Sequence, residues 1–344
     1  MGLLDKVKDK IGGAIGSTPI VKATMLGPRA VGKTSVMASI FSDTKEEVAG
    51  TTLYFRPNAS CAGILNAKKL QLMDVINRRV SITDNPNTGA IEATNAVTSF
   101  DFEMGMKGRE KTIDISIKDF PGEYLDSLPD EVSRYIAESH IIMVAIDTPY
   151  LMEEGGMYND EKNEIGHIVS FFKNHTDSLK NKLILLIPLK CERYFHDNRI
   201  EEVSQRVITT YDPLISFCKG MNIACAITPI QTLGGVEFDK FVDNTGTFSK
   251  LTKLSSYRFY SNSPQYKPMF CVQPLYYLLT YVANFYEWSK AQPKSFFDRL
   301  KDTMVSFLKD DDDFLHEIKK LSMKANVGKH GYTIVNHNTI LNIK

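Results

Sequence analysis

From about residue 19 to residue 290, short apolar runs alternate with stretches in which apolar residues recur every three or four positions. The strongest runs, 140–146 and 183–189, predict strands buried on both faces. Ile113, Ile115 and Ile117 alternate with polar residues instead, which predicts a strand with one more polar face beside an antiparallel neighbour. Strands are predicted at 21–26, 100–106, 112–118, 140–146, 183–189 and 222–227, with helices at 33–41, 130–138, 161–174, 200–219 and 274–290. That order predicts an α/β fold: a doubly wound, mostly parallel sheet with one antiparallel edge strand and helices on both faces.

Two stretches exceed what such a sheet needs. The first, about 49–96, contains a predicted strand at 51–55, a helix at 62–79 and a polar, turn-rich segment at 84–88. The second, about 234–269, is rich in Thr, Ser, Tyr and Asn and predicts a hairpin around 257–260. Long insertions of this kind usually carry function or contacts. The main domain is therefore read as 19–292, preceded by a helix within 1–18 and followed by an extension, 293–344, with a helix at 295–323 and a strand-like end at 332–343.

The N-terminal helix is amphipathic, with Leu3, Leu4, Val7, Ile11 and Ile15 on one face. It is open to docking on the domain, to a protein partner or to peripheral membrane contact, although its lysines are balanced by aspartates. Asp310, Asp311, Asp312 and Asp313 read as a solvated break rather than a metal site, because a cation needs ligands converging from several segments. Tyr276, Tyr277, Tyr281, Phe285 and Tyr286 share a helix at a spacing that predicts packing on the sheet.

Lys plus Arg and Asp plus Glu each number 41, so no net charge points to nucleic acid. The five cysteines have neither metal-ligand spacing nor the density of a disulfide scaffold, and no run reaches the ~18 apolar residues of a membrane span. A cytoplasmic protein is expected. The seven histidines are scattered, and none pairs with Cys or a carboxylate at ligand spacing.

The chemistry concentrates at Gly27-Pro28-Arg29-Ala30-Val31-Gly32-Lys33-Thr34, followed by Ser35. The motif follows an apolar strand and opens a helix, as a P-loop must. Glycines let the backbone curl so that successive N–H groups face phosphates, and the helix N-terminus adds unpaired donors and a favourable dipole. Lys33 would neutralise the outer phosphates, and Thr34 would supply a hydroxyl to Mg²⁺. Asp119-Phe120-Pro121-Gly122 stands directly after the predicted strand 112–118. An Asp there holds Mg²⁺, and the Gly three residues on presents its N–H to the terminal phosphate, which makes the segment a switch. Lys190-Cys191-Glu192 follows strand 183–189, where guanine-specific P-loop proteins carry Asn-Lys-x-Asp, although Leu189 replaces the Asn. Glu192 would accept from guanine's ring N–H and amino group while the Lys190 stem covers the ring, and Thr228-Pro229-Ile230 would close over the base.

In that order the P-loop, Asp119-x-x-Gly122 and Lys190-Cys191-Glu192 resemble the translation-factor-related GTPase class, which includes Ras-like proteins. Gly27-Pro28-Arg29, Asp119 to Glu123, Pro188 to Glu192 and Gln231 to Gly235 are similar to bacterial double-GTPase proteins, over about 21–286. The resemblance implies GTP and GDP with Mg²⁺ as ligands, protein partners at the insertions and the extension, and a role in a bacterial conflict or defence system.

Three departures bear on mechanism. Glu123 replaces the glutamine that orients attacking water in Ras-like proteins, so hydrolysis is expected to be slow. Arg29 stands where Ras-like proteins carry Gly; it either stabilises transition-state charge in cis or points to solvent. The switch threonine that would close on Mg²⁺ is Thr88, Thr94 or Thr98, with Thr88, beside Gly89, preferred. The expected activity is a slowly hydrolysing GTPase switch; a GTP-dependent assembly module with little hydrolysis, or a P-loop ATPase, are the alternatives.

Overall fold

The structure is a computed structural model and describes residues 18, 20–79, 82–83, 97–179, 181–246, 251–290, 311–325 and 327–338. Residues 1–17, Thr88, Thr94, the start of the helix expected at 295–323 and the end of the strand expected at 332–343 lie outside this set.

The strands are β1 (Ile20–Leu26), β2 (Leu53–Pro57), β3 (Ile82–Thr83), β4 (Thr98–Met106), β5 (Lys111–Asp119), β6 (Ile141–Asp147), β7 (Leu183–Leu189), β8 (Ala224–Ile227), β9 (Val236–Asp243), β10 (Lys253–Phe259) and β11 (Thr333–Asn336). Among the described residues, eight of them form one sheet in the order β11-β8-β7-β6-β1-β5-β4-β2. β1 is parallel to β5 and β6, β6 to β7, and β7 to β8. β4 is antiparallel to β5, and the first insertion adds β2 outside it, antiparallel again. At the opposite edge β11 runs antiparallel to β8, so the C-terminal extension completes the main sheet.

Among the described residues, eight α-helices are longer than five residues: α1 (Lys33–Ala49), α2 (Ala59–Asn77), α3 (Pro129–Glu138), α4 (Ile165–Asn174), α5 (Ile200–Thr210), α6 (Asp212–Gly220), α7 (Gln273–Lys290) and α8 (Asp312–Ser322). Apolar residues of α1, α2, α7 and α8 join one core on one face of the sheet, and those of α3 to α6 join a second core on the other. β6 and β7 are buried at every position because helices cover both their faces. In β5 only alternate residues, Ile113, Ile115, Ile117 and Asp119, are buried. The aromatic residues of α7, Tyr276, Tyr277, Tyr281, Phe285 and Tyr286, are buried against the sheet.

Several predicted elements change. The helix expected at 161–174 is two, Asn159–Asn163 and α4, separated by Glu164 in the left-handed region at φ 46°. The helix expected at 200–219 divides into α5 and α6, where Pro213 stands in the first turn of α6 and cannot donate to a continuing helix. The hairpin expected around 257–260 is formed by β9 and β10, and Tyr257 lies inside its second strand. β3, from the first insertion, pairs antiparallel with β10, with Tyr257 opposite Ile82. The two insertions therefore share a three-stranded sheet, β3-β10-β9. In the aspartate run, Asp311 Oδ1 accepts from the Phe314 N–H at 3.1 Å and caps α8, while Asp313 pairs with Arg109 at 2.9 Å.

Candidate functional site

β1 delivers the chain to Gly27, and α1 opens at Lys33, with Gly32 as its N-cap at φ 107°. Only glycine occupies that conformation without strain. Lys33 is buried and folds over its own loop, its Nζ donating to the carbonyls of Gly27 at 2.9 Å and Pro28 at 3.1 Å. Burial draws its pKa below the usual lysine value; the Asp119 carboxylate opposes this, Lys162 adds to it, and Glu123 opposes it. Val31 and Ser35 are buried, and Ala30 takes a left-handed conformation at φ 58°.

β5 ends at Asp119, which is fully buried and in register with Met25 of β1. The Thr34 hydroxyl donates to Asp119 Oδ2 at 2.8 Å. Two hard oxygens from two segments fit Mg²⁺, which keeps several waters and takes its remaining ligands from phosphates. Among the described residues, no group of three or more His, Cys, Asp or Glu side chains could hold a metal ion. Gly122 lies directly against the P-loop backbone: a Cβ there would stand 2.8 Å from the Pro28 carbonyl carbon and closer still to the Arg29 nitrogen. No other residue fits between the two segments.

The loop after β7 carries Lys190, at φ 61°, and Glu192. Glu192 is buried, and its Oε1 accepts from the backbone N–H groups of Leu233 at 2.7 Å and Gly234 at 3.2 Å. Burial raises its pKa, and the backbone donors of Leu233, Gly234 and Thr232 hold it down. Lys190 Nζ donates to Asp147 Oδ2 at 2.7 Å and stands 5.4 Å from the Tyr257 ring centroid. A single pocket is lined by Lys33, Thr34 and Gly122 from the P-loop side and by Lys190 and Glu192 from this loop. Its apolar wall is Ile82, Leu233, Val236 and Tyr257, which pack together where the two insertions meet.

Most of the expected site residues converge. Arg29, Ala30, Val31, Gly32 and Ser35 line the same pocket, with Arg29 exposed. Glu123 is exposed just beyond Gly122, outside the lining, though close enough to bear on the Lys33 charge. Thr228 is fully buried at the end of β8, donates its N–H to the Leu186 carbonyl at 2.9 Å and does not line the pocket; Thr232 does. Thr98 opens β4, paired in register with Asp119.

Two residues at the site carried no expectation. Asp147 is fully buried at the end of β6, and the side chain of Asn163 brackets it by accepting from its N–H at 2.8 Å and donating to its carbonyl at 3.1 Å. Lys162 is buried and donates to the Arg29 carbonyl at 3.0 Å. A signal for Asp147 exists: a lone carboxylate at the C-terminal end of a buried parallel strand faces the crevice where such sheets bind ligands.

Strand, glycine loop and helix, with the Asp119 carboxylate at the end of the neighbouring strand, make this a P-loop NTPase fold. No protein-family model matches the chain, and no curated protein matches it. Among solved structures it is similar to the S. cerevisiae Ski7 GTPase-like domain bound to GDP and inorganic phosphate, at 13% identity and a TM-score of 0.39, over 74% of this chain and 50% of that one. The same domain bound to GTP is similar at 11% identity and a TM-score of 0.36, over 67% of this chain and 45% of that one. The chain spans about half the length of these structures. Among the described residues, no helix is long and apolar enough to cross a membrane.

Proposed function

We propose that this chain is a cytoplasmic switch that binds GTP and GDP with Mg²⁺ and hydrolyses GTP slowly. The observation that carries the reading is the single pocket lined by both the P-loop and the Lys190 and Glu192 loop, which gives phosphate and base recognition one continuous site.

Lys33 would leave its loop carbonyls for the outer phosphates, a stronger acceptor set for a buried ammonium. Thr34 and Asp119 would hold Mg²⁺, which supplies neutralisation of the phosphate charge. Gly122, already against the P-loop, would present its N–H to the terminal phosphate and lose that partner after hydrolysis. Glu192 has lone pairs beyond those used by Leu233 and Gly234, and guanine offers it a ring N–H and an amino group that adenine does not present as a pair.

Hydrolysis adds water to the γ-phosphorus and breaks its bond to the β,γ-bridging oxygen, giving GDP, phosphate and a proton. Exposed Arg29 would stabilise charge spread over the transferring group, and Glu123 would accept from the water, at the cost of a second negative charge beside the phosphates. The position of Glu123 also favours the second reading, a GTP-dependent assembly module with little turnover. Thr88 would be the switch ligand that closes on Mg²⁺. Protein partners would bind the insertions and the C-terminal extension. The resemblance to double-GTPase proteins supports a place in a bacterial conflict or defence system.

Single-turnover hydrolysis of radiolabelled GTP tests the reading. Slow release of phosphate by the wild-type chain, absent in Lys33→Ala because nucleotide no longer binds, is expected. Bound GTP that stays intact for hours leaves only the assembly module.

A further inference from the structure

Between β6 and α4 the short helix Asn159–Asn163 carries a second lysine to the P-loop. Lys162 is only 2% exposed, and its Nζ donates to the Arg29 carbonyl at 3.0 Å. The same Nζ lies 3.9 Å from Asp147 Oδ2, the oxygen that accepts from Lys190 at 2.7 Å. A buried ammonium is costly, and this one donates to the backbone of the phosphate-binding loop as well as lying near Asp147 and 5.4 Å from the Tyr150 ring centroid.

The Arg29 carbonyl is the significant acceptor. A trans peptide holds its C=O and the following N–H on opposite sides, so a carbonyl drawn to Lys162 turns the Ala30 N–H away from it. Ala30 lines the pocket, which is where that N–H is needed. Ala30 also holds φ at 58°, a conformation that a residue with a Cβ adopts only when its surroundings impose it. Lys162 supplies one such constraint, and its charge, near enough to bear on Lys33, adds to the field that attracts phosphates.

We infer that Lys162 is a positioning residue for polyphosphate: it fixes the Arg29–Ala30 peptide with its N–H directed to the phosphates and, through Asp147, links that peptide to the base-loop Lys190. The inference rests on the proposed nucleotide site. Lys162 acts at the phosphate end of the site, by holding the loop and by its charge, so its loss should weaken phosphate binding without changing the choice of base. Asp147→Asn should instead loosen Lys190 and narrow the preference for guanine.

The test uses the full chain as wild type, Lys162→Met and Lys162→Met with Ala30→Gly. Affinities for GTP, ATP and inorganic triphosphate are measured by calorimetry, and the ³¹P resonances of bound GDP by NMR. In Lys162→Met, affinities for GTP and for triphosphate should each fall about tenfold or more, the β-phosphate resonance should move, and the GTP to ATP ratio should hold. Adding Ala30→Gly, which relieves the left-handed strain, should recover part of the loss. A Lys162→Met chain that keeps both affinities and the wild-type resonance overturns the inference and leaves the nucleotide site standing. A wild-type chain that binds neither GTP nor triphosphate overturns both. Should Lys162→Met not fold, Lys162→Arg retains a donor for the Arg29 carbonyl: triphosphate affinity within about threefold of wild type is expected, and a tenfold loss in a folded chain overturns the inference.

Discussion

The Thr34 hydroxyl donates to Asp119 Oδ2 across 2.8 Å, joining the first turn of α1 to the last residue of β5. The contact brings two side-chain oxygens together from segments 85 positions apart, because β1 and β5 are hydrogen-bonded neighbours running in the same direction. In the proposed site, a charge-assisted O–H to carboxylate bond of this kind would hold both groups ready for a hard cation. Removing Mg²⁺ with a chelator should weaken GTP binding to the wild-type chain about tenfold or more. In Thr34→Ala and Asp119→Asn the difference between magnesium and chelator should shrink, read by fluorescence titration of a labelled nucleotide. An unchanged difference in both variants contradicts the ligand assignment.

Gly122→Ala should disturb the P-loop, because the added methyl would meet the backbone of Pro28 and Arg29 and neither is the end of a flexible side chain. Overpacking of this kind costs about 1–3 kcal/mol. Denaturant unfolding should show that loss, and the variant should bind GTP less tightly relative to GDP. Wild-type stability together with a wild-type GTP to GDP ratio would mean that Gly122 does not report on the terminal phosphate.

Glu192 gives a pH dependence whose sign follows from burial. Its folded pKa is raised above the unfolded value, so above the usual glutamate range the folded state binds more protons than the unfolded one. Stability therefore falls as pH rises through the window that starts at the unfolded pKa and ends at the folded one. Glu192→Gln removes this loss and still accepts from Leu233 and Gly234 through its amide oxygen. Its melting temperature should exceed wild type near about pH 8, with the gap closing as pH falls below the glutamate range, while preference for guanine is lost. A variant less stable than wild type at the higher pH contradicts this account.

The C-terminal segment is part of the fold. Phe314 of α8 is fully buried in the core that contains α1 and α7, and β11 is hydrogen-bonded to β8. Phe314→Ala should cost about 3–5 kcal/mol in denaturant unfolding, as for other large aromatic side chains in a core. A loss below about 1 kcal/mol would mean that the tail docks without contributing to stability.

What the sequence made legible follows from where its information is local. β7 is read at both of its bounds because seven consecutive apolar residues are too short for a buried helix and suit a strand covered on both faces. That the P-loop, Asp119, Gly122, Lys190 and Glu192 gather at one end of the sheet is legible as well, because each follows a strand at a fixed offset. The break at Glu164 depends on one backbone conformation, at φ 46°, that leaves the apolar spacing undisturbed. The pairing of Ile82 with Tyr257 is non-local, and no pattern along the chain announces it. Lys162 sits in the polar stretch Asn159–Asn163, inside the helix expected at 161–174, and no local motif marks it; its contact with Arg29 is made across 133 positions. Asp147 closes an apolar strand and had the clearest signal of the residues left unassigned.

The central claim is that one pocket recognises both triphosphate and guanine. Competition of unlabelled GTP and ATP against a labelled guanine nucleotide on the purified chain, repeated with Glu192→Ala, tests it most directly. GTP should compete at least about tenfold better than ATP on the wild-type chain, and Glu192→Ala should bring the two together while Lys33→Ala abolishes binding of both. Equal competition by ATP and GTP on the wild-type chain would contradict the claim.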